Sequence, residues 1–208
     1  MWPLLVFSII TTAIALERAV YLCYHNLRID DLREKIEQYI EDADMEGAQA
    51  YLVPLTKRRM GARVLLTLVQ RSNLSEYQME KAVEAEARKC ISSLENGFDF
   101  LTVLTSLAPL TGFLGTVSGM IGAFKSIAEA TEVNAQIVAG GIYEALITTV
   151  FGLIIAVLAT SAHSIFTHMV DTFVQQTDKN GIDLIIKIAT TKQAKSSLGK
   201  TESETKAV

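Results

Sequence analysis

The chain has 208 residues, half of them apolar and 20% charged, with a formal net charge of −4 and a mean hydropathy of +0.29. The acidic balance argues against a nucleic-acid partner, which would require a basic face to replace phosphate counterions. So much apolar content beside so many charges excludes a uniform soluble core and requires that the two be kept apart along the chain.

The residue order does keep them apart. No Asp, Glu, Lys or Arg occurs from Met1 to Leu16 or from Phe100 to Phe124, and only Glu144 interrupts the stretch from Val133 to Val170. A helix rising 1.5 Å per residue crosses about 30 Å of hydrocarbon with roughly 20 apolar residues. The expected organisation is therefore all-α, with three transmembrane helices and long cytoplasmic helical extensions.

The first predicted span covers residues 1–24 and must run through Glu17 and Arg18 to reach full length. A cleaved signal peptide is the competing reading, because Ala13-Ile14-Ala15 resembles a small-residue cleavage site. Against it, no basic segment precedes the apolar run.

Residues 25–97 are expected to form a cytoplasmic helical stem. Their many Lys and Arg residues place them inside, while the connection between the second and third spans carries Lys125 alone. The N-terminus is thus expected in the periplasm and the C-terminus in the cytoplasm. An amphipathic helix is predicted from Leu27 through Tyr51, ending before Pro54. A second starts at Ser75, where Ser75-Glu76-Tyr77-Gln78 forms an S-x-x-Q capping box, and is expected to run unbroken into the second span. Charge runs of this kind are more often a solvated face than a binding site. Cys23 and Cys90 lie far apart and form no metal or redox motif.

The second span, 98–124, carries Gly112, Gly115, Thr116, Gly119 and Gly122 at spacings of three and four, which stack them along one helical side. Small residues allow close backbone approach between membrane helices, so packing alone is a sufficient reading of the glycines. Pro109 removes one N–H donor and leaves a carbonyl one turn earlier without its partner. A short periplasmic loop is expected over 125–137.

The third span, 138–168, contains Glu144. A carboxylate at bilayer depth costs on the order of 2.5 to 3.5 kcal/mol on insertion scales, so something must offset it. Thr148, one turn on, and Thr149 beside it offer hydroxyls, and Gly152 continues the small-residue face. Withdrawing a carboxyl from water favours its neutral form, which is the property a proton relay uses. Sodium could use the same oxygens, and an interfacial position would make the acid merely solvated. His163 and His168 read as interfacial side chains near the inner end. A cytoplasmic helix is expected over 169–193 and a disordered tail over 194–208.

No phosphate loop, H-E-x-x-H or G-x-S-x-G motif is present, and no His/Cys set has metal-ligand spacing. No enzyme, cofactor or metal is expected.

Three segments resemble the MotA/TolQ/ExbB proton channel family, nearest its ExbB and TolQ branches. "ALERAVYL" from Ala15 is similar to the end of its first helix. "LAPLTGFLGTVSGMIGAF" from Leu107 and "GGIYEALITTVFGLIIA" from Gly140 resemble its second and third transmembrane signatures. Val157-Leu158 departs from the family's frequent Ile-Pro. The resemblance implies a homo-oligomeric ring, a pentamer, around two copies of a single-span ExbD/TolR-like partner, within membrane lipid. It places Thr116, Glu144 and Thr149 on the pore wall. It also implies that the proton-motive force drives work on a TonB- or TolA-like envelope protein.

Overall fold

The computed structural model describes residues 2–42, 44–129 and 135–205, the last as backbone alone beyond 193. Seven α-helices account for nearly all of it, and no strand occurs among the described residues. They are α1 (Trp2–Tyr24), α2 (Asp30–Glu41), α3 (Met45–Leu52), α4 (Met60–Gln70), α5 (Glu76–Glu95), α6 (Phe98–Glu129) and α7 (Ala135–Thr205). Three segments, Trp2–Tyr24, Glu76–Glu129 and Val138–Gln193, hold helices long and apolar enough to cross a membrane.

The chain divides into two compact units. The first comprises Met1–Val20 and Asn96–Thr167. Here α1, α6 and the first part of α7 meet at Leu4, Ala108 and Ile155, with Phe7 packed beside them. At the start of α6, Phe98 stacks on Phe166 with ring centroids 6.0 Å apart and meets the His163 ring edge-on at 5.9 Å. Large apolar side chains such as Phe113, Leu114, Ile121 and Phe124 stay exposed on α6, a surface suited to hydrocarbon rather than water.

The second unit comprises Tyr21–Glu95 and His168–Val208. Ile29, Leu32, Ile36 and Ile40 repeat at helical spacing and are fully buried, as are Met79, Cys90 and Leu94 of α5 and Phe173, Leu184 and Ile188 of α7. Polar clamps tie α2 to α7. Arg33 reaches Asp183 at 3.2 Å, Asn180 donates to Asp30 at 3.2 Å, and Lys187 contacts Glu37 and Glu41, each at 2.5 Å.

The structure departs from the sequence expectations at three boundaries. The amphipathic stretch after Leu27 is two helices rather than one, because Asp44 caps α3 by accepting the Gly47 N–H at 2.8 Å. Pro54 then sits in the first turn of a short 3₁₀ segment, Val53–Lys57, where its missing N–H costs nothing. The predicted continuous run into the second span is interrupted at Asn96–Gly97: Gly97 has φ +87°, a left-handed conformation that ends α5 and needs glycine. The capping box is present, with Ser75 and Gln78 exchanging backbone-to-side-chain bonds of 3.4 Å.

At the other end, α7 runs unbroken from Ala135 to Thr205, across the expected division near residue 168. Of the loop expected over 125–137, α6 takes the part to Glu129, and residues 130–134 lie outside the described residues. So do residues 206–208, the end of the segment expected to lack order.

Candidate functional site

The site lies in the first unit, where α6 and α7 approach so closely that side chains are largely excluded between them. A Cβ built on Gly152 would stand 2.6 Å from the Ala108 carbonyl oxygen and 3.2 Å from the Gly112 Cα. One on Gly112 would stand 2.9 Å from the Thr148 carbonyl oxygen and 3.0 Å from the Thr149 Cα. The helices thus meet backbone to backbone, which only glycine at these positions permits.

That approach brings two hydroxyls onto one carbonyl. Thr148 Oγ1 and Thr149 Oγ1 each donate to Gly112 O at 3.2 Å, and Thr148 Oγ1 also lies 2.7 Å from Ala145 O. Thr148 is buried and Thr149 half-buried. The sequence offers these hydroxyls to the Glu144 carboxyl or to water beside it. Among the described residues they are directed at carbonyls instead, because the missing side chain at Gly112 lets that oxygen come within reach first.

Further along, Gly115 faces the Thr148 side chain, Gly119 would place a Cβ 2.8 Å from that of Ala145, and Gly141 would place one 2.6 Å from that of Ala123. Beside this seam opens a groove of about 480 Å³ lined by Ser118, Gly122, Ser126, Glu144 and Thr148, with Gly115, Gly119 and Gly141 among its other walls. Glu144 is exposed on it. Gly122 faces the open side, since nothing lies within 4 Å of a Cβ built there. Ser126 Oγ donates to Gly122 O at 3.1 Å.

The structure therefore brings Glu144 and Thr148 into one groove and ties Thr149 to its seam. Thr116 is not among the groove's lining; its hydroxyl donates to Phe113 O of its own helix at 2.7 Å. Sequence reasoning missed Ser118 and Ser126, although 118, 122 and 126 form a second stripe at four-residue spacing next to the first. It also missed Ala108 and Ala123 on α6 and Gly141 and Ala145 on α7, which complete the small-residue seam. Among the described residues no three His, Cys, Asp or Glu side chains converge as metal ligands.

Three apolar helices of spanning length, two of them joined by a glycine seam with one carboxylate on the groove beside it, define a multi-pass membrane protein. Residues 56–179, more than half of the chain, match the MotA/TolQ/ExbB proton channel family. The chain is 29% identical over 166 residues to the ExbB-like 3 biopolymer transport protein of Synechocystis sp., covering 79% of this chain and 78% of that one. It is 26% identical over 183 residues to the biopolymer transport protein ExbB of Salmonella typhimurium, covering 82% and 72%. Over 84 residues it is 39% identical to the Tol-Pal system protein TolQ of Haemophilus influenzae, covering 40% and 37%. The chain belongs to the MotA/TolQ/ExbB proton channel family.

Proposed function

We propose that this chain is the ring-forming subunit of an inner-membrane motor that couples proton flow to mechanical work on an envelope partner, in the manner of ExbB. The observation that carries the reading is Glu144, the one charged residue of its span, on an open groove walled by glycine and serine. A groove lined so sparsely leaves room for another helix, and a carboxylate there has reason to exist only if its cost is offset by a partner or by water.

In this reading copies of the chain form a pentameric ring, with the N-terminus periplasmic and the C-terminus cytoplasmic. Two ExbD/TolR-like single-span helices occupy its centre. Thr116, Glu144, Thr148 and Thr149 supply polar lining, and Gly112, Gly115, Gly119, Gly122 and Gly152 allow helices to close together. Each proton crossing the membrane releases about 2.3 kcal/mol per 100 mV, enough to bias one conformational step of ring against axle. The partner delivers this work to a TonB-like protein that energises outer-membrane transport.

A TolQ-like role in envelope integrity is the second reading, favoured by the higher identity to TolQ over the segment the two share. The test is proton uptake by liposomes containing the chain with its single-span partner, alongside energised function in cells. Glu144→Ala and Thr149→Val are expected to cut both. Unchanged flux and function in both variants would remove the pore assignment. Restoration of a strain lacking ExbB, or instead one lacking TolQ, separates the two clients.

A further inference from the structure

The second unit carries a basic cluster that the proposed motor does not use. Lys57, Arg58 and Arg59 lie far beyond α1 in sequence, yet the fold returns them to its last turn. The Asn26 N–H donates to Arg58 O at 3.2 Å, and the Arg58 guanidinium stands 5.7 Å from the centroid of the Tyr24 ring. The Arg58 and Arg59 N–H groups both donate to Leu55 O, at 3.1 and 2.9 Å, which holds the tripeptide in a turn. Arg28 joins from the neighbouring loop, its N–H bonded to Asn26 Oδ1 at 3.0 Å.

The cluster differs from the ion-paired cations of the unit, and Lys35, Arg71, Lys179 and Lys192 share its lack of a carboxylate within 4.0 Å among the described residues. Arg33, Arg63, Lys81, Arg88 and Lys89 each have a carboxylate within 4.0 Å. Among the described residues Arg28, Lys57, Arg58 and Arg59 have none, and all but the half-buried Arg59 are exposed. The nearest acids in sequence, Asp30 and Asp31, open α2, where a helix start favours them, and Asp30 accepts from Asn180. A chain with net charge −4 repels anions as a whole. Screening over about 8 to 10 Å, however, leaves a local cluster to act alone.

Position decides what the cluster meets. Tyrosine is enriched where a span leaves the hydrocarbon, and here Tyr21 and Tyr24 end a helix of spanning length. Tyr21 is engaged with Ser93 at 3.0 Å, while Tyr24 stays exposed beneath Arg58. Phosphate is a natural counter-ion for exposed cations beside such a helix end, and guanidinium groups bind it with paired donors. We propose that Arg28, Lys57, Arg58 and Arg59 bind the phosphate headgroups of anionic phospholipids in the leaflet at the Tyr24 end of α1. The contact would fix the depth of α1 and tie the second unit to the bilayer surface.

The test uses the full chain extracted in mild detergent, with bound lipid counted by native mass spectrometry from mixtures of phosphatidylglycerol and phosphatidylcholine. Phosphatidylglycerol adducts are expected to exceed phosphatidylcholine adducts. Affinity should fall about fivefold for each charge removed in K57Q/R58Q/R59Q, with phosphatidylcholine unaffected. The variant R28Q/K57Q, which keeps Arg58 on Tyr24, should lose correspondingly less and serves if the triple variant does not fold. Three results would overturn the proposal: adducts unchanged in both variants, an equal loss in the charge-matched K81Q/R88Q/K89Q, or displacement by soluble glycerol phosphate as readily as by lipid.

Discussion

Adding a methyl group at Gly152 would bring carbon to 2.6 Å from the Ala108 carbonyl oxygen, and neither backbone can yield without parting α6 from α7. Overpacking of that kind costs about 1–3 kcal/mol, more than the roughly 1 kcal/mol that alanine gains over glycine in a helix. Gly152→Ala is therefore expected to destabilise the chain. Gly122→Ala, with nothing within 4 Å of the new carbon, should leave stability unchanged or raise it by up to about 1 kcal/mol. Thermal unfolding of both variants in detergent, without the partner, followed by circular dichroism, checks the contrast; an equal loss at both sites would contradict it. At this scale the glycines were legible because helical spacing alone aligns Gly112, Gly115 and Gly119. Their partners on α7, Gly141 and Ala145, were not, because pairing them with Ala123 and Gly119 requires the register of α6 against α7. The choice of acceptor by Thr148 and Thr149 was hidden for the same reason.

The packing of α2 on α7 rests on a buried isoleucine face and a rim of charge. Lys187 donates to Glu37 and so holds its carboxyl below its ordinary 4.5, while Glu37 and then Glu41 hold the ammonium above its ordinary 10.5. The lowered carboxyl contributes stability above its ordinary value and loses it as pH falls through the lowered one. The raised ammonium contributes below its ordinary value and loses it as pH rises through the raised one. The clamp is thus fully present across the neutral range and fades at either extreme. Lys187→Met should lower the unfolding temperature most near neutrality, and the gap from the wild-type chain should narrow in acid. A gap independent of pH would mean that Lys187 acts through its apolar stem instead. Of these elements, the capping box at Ser75 was readable because both of its residues stand in one turn. The break before α3 was not, since the apolar period continues across it and only Asp44, a helix-start residue, marks the change. Gly97 is visible as a breaker, but only its left-handed φ shows that it ends α5 rather than being carried through a longer helix.

Across the whole molecule, segregation of charge made the three spans legible, because hydrocarbon tolerates so few ionised groups that their absence outlines each crossing. The continuity of α7 was not legible. The change from apolar to charged residues near Val170 reads as a boundary, yet no proline or positive-φ glycine follows to end the helix, and Gly181 sits buried within it. A scaffold that moves no ion would need the glycine seam but not the acid. Such a scaffold should lose assembly with Gly115→Leu and ignore Glu144→Gln. The decisive measurement is the proton flux of liposomes holding the chain and its single-span partner, made on Glu144→Gln with the mass of the complex determined on the same sample. A complex of unchanged mass with flux reduced at least about a hundredfold, the lower end for loss of one proton-transfer group, is the expected result. Wild-type flux from that intact complex would contradict the central claim.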